Sequence, residues 1–170
     1  MKRNKITILL MTIMIAFLSC NNNGSSSIDE PDQIGEYVFD IIKNISSVTK
    51  QKYIDNFIST EEIRELGKNS EVIKDEKSRN KMTSVLKEEW VNELERNYNK
   101  VKERAAKYGI IWNDIQYLDY VYEINEKRGI KTCEGKLYFK YKDDSFKIRT
   151  SSIFNGHEYK LIEIRSLQKQ

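Results

Sequence analysis

The sequence is poor in the residues that build covalent and metal-based sites. Its 170 residues include two cysteines, one histidine (His157) and one proline (Pro31). A single histidine excludes a metal site with several histidine ligands. The glycine-rich phosphate loop and the His-x-x-x-His, Cys-x-x-Cys and Gly-x-Ser-x-Gly motifs are also missing. The sequence therefore predicts no metal and no cofactor. His157 lies beside a predicted turn, which favours a solvated loop residue over a catalytic base.

The amino terminus carries the clearest pattern. Three basic residues among the first five precede an apolar run over residues 6–18, which ends at Ser19 and Cys20. This run is shorter than the ~20 residues of a membrane-spanning helix, and its basic start is typical of a removable export signal. The stretch from Phe17 to Cys20 resembles the lipobox of bacterial lipoproteins, with Phe17 where that family more often has leucine. The resemblance implies cleavage before Cys20 and lipid attachment to its sulfur, and the alternative is an ordinary signal peptide.

Removal of the signal would leave a chain without net charge. The sequence has 29 Lys and Arg against 26 Asp and Glu, and three of the basic residues lie in the signal. The basic surface typical of nucleic-acid binding is therefore not expected, and the predicted partner is a membrane, through the lipid anchor. By resemblance to Gram-negative lipoproteins, Asn21 permits sorting to the outer membrane. The periplasmic and outer faces, and a Gram-positive membrane anchor, stay open.

The chain divides into a signal, a tether and one domain. Residues 1–19 form the predicted signal peptide, and residues 20–33 form a polar tether behind the lipidated cysteine. Residues 34–167 are long enough for a single domain and too short for two ordinary ones. Lipidation of Cys20 would leave Cys133 without a disulfide partner, and we expect it to be a buried apolar residue rather than a reactive thiol.

The first half of the domain has helical periodicity. Apolar residues recur at three- and four-residue spacing over residues 34–45, which predicts an amphipathic helix. A short helix within residues 46–58 is expected, with Thr49 as its cap. Ser59 and Glu62 predict a capping box for a third helix, which Gly67 would close. One long helix is predicted over residues 79–108, with its packed stripe passing through Leu86 and Gly109 as its C-cap.

The second half alternates with the period of a β-strand. Strands are predicted over residues 111–125, 130–141, 146–151 and 158–167, joined as hairpins. For the last hairpin, a three-residue loop ending at Gly156 would place apolar residues opposite each other on one face. The predicted pairs are Ile148 with Ile162 and Phe146 with Ile164, and Lys147 would lie beside Glu163.

Helices followed by a four-stranded antiparallel meander predict an α+β domain, with the helices, including the long one, packed on one face of the sheet. The order of elements over residues 34–167 resembles the nuclear-transport-factor-like or cystatin-like α+β cone. That resemblance implies a fold that accommodates enzymes, ligand binders and dimerisation modules, so it does not decide the function.

Two binding surfaces and one enzyme alternative follow from this arrangement. A pocket between helices and sheet would take a small apolar or peptide ligand. Its candidate lining residues are Trp90, Tyr98, Tyr120, Tyr122 and Phe139. The outward sheet face, where tyrosines alternate with basic residues, would take an envelope protein or a second copy of the chain, unless it is simply solvated. Its candidate residues are Tyr117, Tyr138, Arg149 and Tyr159. The alternative is a small cone-fold enzyme with a pocket lined by tyrosine and carboxylate, for which Asp119 and Glu123 are the candidate acids. We expect a non-enzymatic binding module, since no base and nucleophile can be paired.

Overall fold

The computed structural model describes residues 27–170 of the chain. The predicted signal, Cys20 and residues 21–26 of the predicted tether lie outside the described residues. Within them, five α-helices and a short 3-10 helix precede one antiparallel sheet with strand order β1-β2-β3-β4. The predicted α+β class and the four-stranded meander are confirmed. The helices are α1 Gln33–Lys43, α2 Lys50–Ile54, α3 Thr60–Lys68, α4 Glu76–Thr83 and α5 Lys87–Lys107, and the 3-10 helix is Trp112–Asp114. The strands are β1 Gln116–Lys127, β2 Ile130–Tyr141, β3 Asp144–Phe154 and β4 Tyr159–Lys169.

The predicted caps of α2 and α3 are confirmed. The Thr49 hydroxyl accepts a hydrogen bond from the Lys52 amide at 3.2 Å. The Ser59 hydroxyl accepts from the Glu62 amide at 3.1 Å, and the Glu62 carboxylate accepts from the Ser59 amide at 2.8 Å. These bonds satisfy amides that the first turn of a helix leaves without partners.

Gly67 does not close α3, which continues to Lys68. An added Cβ at Gly67 would lie 2.8 Å from the Cβ of Met82. The absence of a side chain therefore lets α4 pack closely against α3, and the role of this glycine is close contact rather than termination.

The predicted long helix over residues 79–108 is wrong, because it is divided into two helices. α4 ends at Thr83, residues 84–86 are not helical, and α5 begins at Lys87. The guanidinium group of Arg64 donates to the Val85 carbonyl from both Nε, at 3.0 Å, and Nη2, at 2.7 Å. Leu86 is extended, precedes α5 as its N-cap, and has a side chain that is 56% exposed. It therefore does not belong to the packed stripe. The other end agrees with the prediction, because Gly109 has a φ of 65° and ends α5.

β1 is shorter than predicted and irregular. Residues 112–114 form the 3-10 helix, so the strand begins only at Gln116. A β-bulge at Leu118 lets Tyr117 pair with Phe139 and Asp119 pair with Tyr138. At the other end of β1, Arg128 and Gly129 form the two-residue turn to β2, with φ of 58° and 72°.

The predicted register of the β3–β4 hairpin is wrong. The loop contains four residues, 155–158, rather than three. Thr150 pairs with Ile164, and Phe146 pairs with Lys169 near the end of β4. Lys147 consequently does not lie beside Glu163.

A wider loop and two register shifts explain this difference. The Asn155 side chain accepts hydrogen bonds from the amides of His157 and Glu158, each at 2.9 Å, and these bonds stabilise the four-residue loop. Two β-bulges then interrupt the pairing of β3 with β4. As a result, the deeply buried residues of β4 after Tyr159 recur every three residues instead of every two. They are Leu161, Ile164 and Leu167.

Two apolar clusters cover opposite faces of the sheet. The larger cluster joins α1, α2 and α5 to the face that carries Leu137, Phe139 and Ile148. The smaller cluster joins α3 and the α3–α4 connection to Ile153, which alternates with Ser152 in β3 and therefore points the other way. The prediction that all helices pack on one face is thus wrong. The buried members of the smaller cluster are Ile58, Ile63, Leu66, Ile73 and Ile153.

Candidate functional site

An apolar cavity of about 590 Å³ lies beside the smaller cluster, where α3 and α4 meet the sheet. Ile58, Ile63 and Ile153 are buried and form its deep wall. This volume lies within the range of roughly 300–1,000 Å³ that small-molecule sites occupy in proteins. The residues around it include Met82 from α4, Trp90 from α5, Ile130 and Thr132 from β2, and Ile162 from β4.

The break between α4 and α5 gives the cavity its shape. The Trp90 indole Nε1 donates to the Ile58 carbonyl at 2.9 Å, which holds the first turn of α5 against the start of α3. The bond from Arg64 to the Val85 carbonyl fixes the connection between the two helices. Both bonds join distant parts of the chain, and they fix the α4–α5 connection and the start of α5 beside the cavity.

Basic side chains surround this apolar cavity. Lys81 from α4 and Lys127 and Arg128 from the β1–β2 hairpin line it, and all three are exposed. No aspartate or glutamate is among its lining residues. Within residues 27–170, none of the three basic groups lies within 4.0 Å of a carboxylate oxygen. The cavity therefore combines an apolar interior with positive charge that is not neutralised by direct ion pairs in the described chain.

One carboxylate lies near these basic groups without lining the cavity. Asp75 accepts from the Ser78 amide at 2.8 Å and from the Ser78 hydroxyl at 2.6 Å, and so caps α4. These hydrogen bonds are the main reason that the pKa of Asp75 is below its usual value, and Arg128 adds a smaller contribution. Within residues 27–170, no ion pair within 4.0 Å joins Arg128 to this carboxylate.

The five candidate pocket residues do not gather around this cavity. Trp90 lines it, whereas Tyr98, Tyr120 and Phe139 are buried in the larger cluster on the other face of the sheet. Tyr122 is 40% exposed and stacks on Tyr120, with the ring centroids 5.7 Å apart. The lining residues of the cavity come from seven helices and strands, and its apolar members follow the sequence pattern of ordinary core positions. No signal in the pattern distinguishes them.

Tyr120 fills the space in which the sequence predicts a pocket. Its hydroxyl lies 3.0 Å from that of Thr150, across β2. Its ring occupies the positions that side chains at Gly35 of α1 and Gly135 of β2 would need. Burial raises the pKa of Tyr120, against the opposing effect of the hydrogen bond with Thr150. Tyr120 is therefore a packing residue that fastens β1 to α1 and β3.

The four candidate interface residues lie on different faces. Tyr138 is half-buried and Arg149 is exposed, and both point away from the larger cluster. Tyr117 instead contacts Phe39 of α1 edge to face at 5.5 Å, because the bulge at Leu118 turns it toward the helices. Tyr159 is only 2% exposed and belongs to the larger cluster. The expected aromatic and basic surface is therefore reduced to Tyr138, Arg149 and neighbouring lysines.

The candidate acids and the thiol have surroundings that do not resemble a catalytic site. Asp119 and Glu123 are exposed on β1. Cys133 is fully buried, and burial raises the pKa of its thiol to about 11, although its hydrogen bond with Tyr120 acts in the opposite direction. The thiol is therefore protonated near neutral pH and is inaccessible. Within the described residues, no group of three or more His, Cys, Asp or Glu side chains is placed to hold a metal ion.

The outer edge of β1 is a second surface with exposed apolar groups. β1 is the first strand of the sheet, so one of its edges has no partner strand in the described chain. Leu118, Val121, Tyr122 and Ile124 are each at least 40% exposed. Such an edge is able to pair with a strand from another molecule. The opposite edge, at β4, is adjacent to α5, whose Arg104 donates to the Leu167 carbonyl at 2.9 Å.

Comparisons with known proteins leave the site to be interpreted from its own chemistry. No protein-family model, curated protein or solved structure matches the chain. Among residues 27–170, no helix has the length and apolar character required to cross a bilayer.

Proposed function

We propose that the protein is a lipid-anchored module of the bacterial cell envelope that binds a small apolar ligand without transforming it. The observation that carries the proposal is the 590 Å³ apolar cavity beside Trp90. Apolar surface in a concave site is stabilised by covering it, so a ligand of matching size gains binding free energy from leaving water. The cavity differs in position from the pocket expected from the sequence, but the class of ligand is the same.

The cellular address in this proposal rests on the sequence of residues 17–20. Cleavage before Cys20 and acylation of its sulfur would anchor the domain, and Asn21 permits sorting to the outer membrane. Cys20→Ala should release the protein into a soluble fraction or leave it unprocessed as a larger precursor. Membrane retention with normal processing of the Cys20→Ala protein would contradict a lipid anchor.

Ligand binding is tested with the mature chain without its acylated residue, residues 21–170. Native mass spectrometry of the gently purified protein should show excess mass that is lost on denaturation. The neutral dye Nile red should also bind and gain fluorescence, because the cavity offers it an apolar environment. The proposal fails if folded protein carries no excess mass and does not bind the dye.

A pair of matched variants locates the binding site. Ile162→Lys places a charge among the lining residues of the cavity and should reduce Nile red binding at least about tenfold, since burying an unpaired charge is costly. Val121→Lys makes the same chemical change on exposed β1, outside the cavity, and should leave binding unchanged. Circular dichroism confirms that both variants are folded. Equal losses in the two variants would place the dye elsewhere.

A second candidate function is binding of an envelope protein or of a second copy through β1. The observation that favours it is the row of exposed apolar side chains along an unpaired strand edge. Size-exclusion chromatography should then show an oligomer that Val121→Lys converts to a monomer, while Ile162→Lys does not. The same two variants thus separate the ligand-binding function from association through β1. The enzyme alternative has no comparable support, since Asp119 and Glu123 are exposed.

A further inference from the structure

The chemistry around the cavity is uneven, with an apolar interior and basic side chains at the solvent-exposed positions. Lys81, Lys127 and Arg128 are exposed, whereas Ile58, Ile63 and Ile153 are buried. A wholly apolar ligand would use the interior and leave the basic groups without a role. A ligand with an apolar body and one anionic group would use both.

We infer that the cavity binds a single-chain amphiphile with an anionic head, such as a fatty acid, whose carboxylate lies among Lys81, Lys127 and Arg128. This inference rests on the proposed function and specifies its ligand class. Arg128 is suited to a carboxylate because its planar guanidinium group forms paired hydrogen bonds with two oxygens. The two lysines add positive charge from α4 and from the end of β1.

The size of the cavity supports one acyl chain. A volume of about 590 Å³ accommodates a ligand of small-molecule size. The inference therefore commits to a free single-chain molecule as the occupant, rather than to a lipid that remains in the bilayer. Among the described residues, the polar lining residues besides the basic groups are Ser78 and Thr132. The Ser78 hydroxyl already donates to Asp75, which leaves the Thr132 hydroxyl as the one remaining neutral polar group for a ligand among these described lining residues.

The experiment compares three twelve-carbon competitors for displacement of Nile red from residues 21–170. Dodecanoate, dodecan-1-ol and dodecylamine share their chain and differ in the charge of the head. Dodecanoate should displace the dye at about tenfold lower concentration than dodecan-1-ol. A few partly solvated ion pairs together contribute about this factor to the affinity. Dodecylamine should be the weakest of the three because like charges repel. The measurement needs no variant, so it does not depend on whether an altered protein folds.

A triple variant tests the position of the head. Lys81→Gln, Lys127→Gln and Arg128→Asn together should abolish the advantage of dodecanoate over dodecan-1-ol, measured as the ratio of the two displacing concentrations on the same variant. Asparagine is chosen at Arg128 because it tolerates the positive φ there. The matched control changes Lys136→Gln, Lys147→Gln and Arg149→Asn, which lie outside the cavity, and should retain the advantage.

The outcomes distinguish failure of the proposed ligand-binding function from failure of the inferred ligand class. If Nile red does not bind and the folded protein carries no excess mass, the proposed function fails, and the inference fails with it. If the dye binds but dodecanoate and dodecan-1-ol displace it equally, apolar binding stands and the anionic head is wrong. If the triple variant keeps the preference, or the control loses it, the assignment of the head to these three residues is overturned.

Discussion

Two buried tyrosines differ in what their hydroxyl groups contact. Tyr53 is fully buried between α2 and α5, with its ring 4.9 Å from that of Tyr98, and its hydroxyl has no hydrogen-bond partner within residues 27–170. Tyr120 is nearly as buried, but its hydroxyl lies 3.0 Å from that of Thr150. A buried polar group costs free energy unless it is paired, so the same deletion should have opposite effects at the two sites.

We therefore expect Tyr53→Phe to leave the free energy of unfolding unchanged or to raise it by up to about 1 kcal/mol. Tyr120→Phe should lower it by about 1–2 kcal/mol, since it also leaves the Thr150 hydroxyl without its partner. Urea denaturation followed by circular dichroism measures both values under one condition. Equal losses in the two variants would show that the Tyr53 hydroxyl is bonded in solution.

At the scale of elements, the N-cap of α5 is Leu86, whose side chain cannot accept a hydrogen bond from the first turn of the helix. It has φ of −87° and ψ of 133°, makes no side-chain cap, and exposes 56% of its surface. Glu89 occupies the third position of α5, where a capping box requires glutamate or glutamine.

Leu86→Ser should therefore raise the free energy of unfolding by about 1 kcal/mol, because serine completes a capping box and little buried surface is lost. Leu86→Ala is the control, since it removes the same side chain without supplying an oxygen acceptor. Thermal denaturation of the two variants gives the comparison. A gain of the same size in Leu86→Ala would mean that removal of exposed leucine, and not capping, is responsible.

Local patterns in the sequence were sufficient for features that depend on neighbouring residues. The caps at Thr49 and Ser59 and the end of α5 at Gly109 follow from local hydrogen bonds and backbone preferences. The break before α5 depends instead on Arg64, which lies 21 residues from Val85. Helical periodicity continues across that break and so gives no sign of it.

The candidate site depended on similar long-range features. The bulge at Leu118 moved Tyr117 to the helical face, and the bulges in β4 changed which residues oppose one another. Each bulge shifts the side-chain alternation by one residue, so an error at one position passes to every residue beyond it. The cavity was missed because α3 and α4 pack on the face of the sheet that the pattern assigned to solvent.

For the whole molecule, a backbone contact at the first described residues limits how far one end of the domain can lie from a lipid attached at Cys20. The Tyr159 amide donates to the Ile28 carbonyl at 2.7 Å, which fixes the first described residues beside the β3–β4 loop. Seven residue steps separate Cys20 from Ser27, and they span at most about 25 Å even when fully extended. If Cys20 is acylated, the β3–β4 loop must stay within roughly that distance of the lipid.

A tether at Cys20 sets no such limit on the opposite end of the sheet, which we expect to lie farther from the bilayer. β3 has 11 residues and so runs about 35 Å from the β2–β3 turn to the β3–β4 loop. A dye attached to His157→Cys should be quenched by a bilayer-embedded quencher more strongly than a dye on Asp143→Cys. Labelling is selective because Cys133 is buried. Equal quenching of the two dyes, in vesicles carrying the acylated protein, would contradict this orientation.

The β1–β2 and β3–β4 hairpins lie at the same end of a meander sheet, separated by about two strand spacings, or roughly 10 Å. If Cys20 is acylated, the short tether would also limit how far Lys127 and Arg128 can move from the lipid surface. A molecule that leaves the bilayer would then meet these residues within roughly 35 Å of the surface, about the length of β3. Tether length, and not only affinity, would then set how often the cavity is filled.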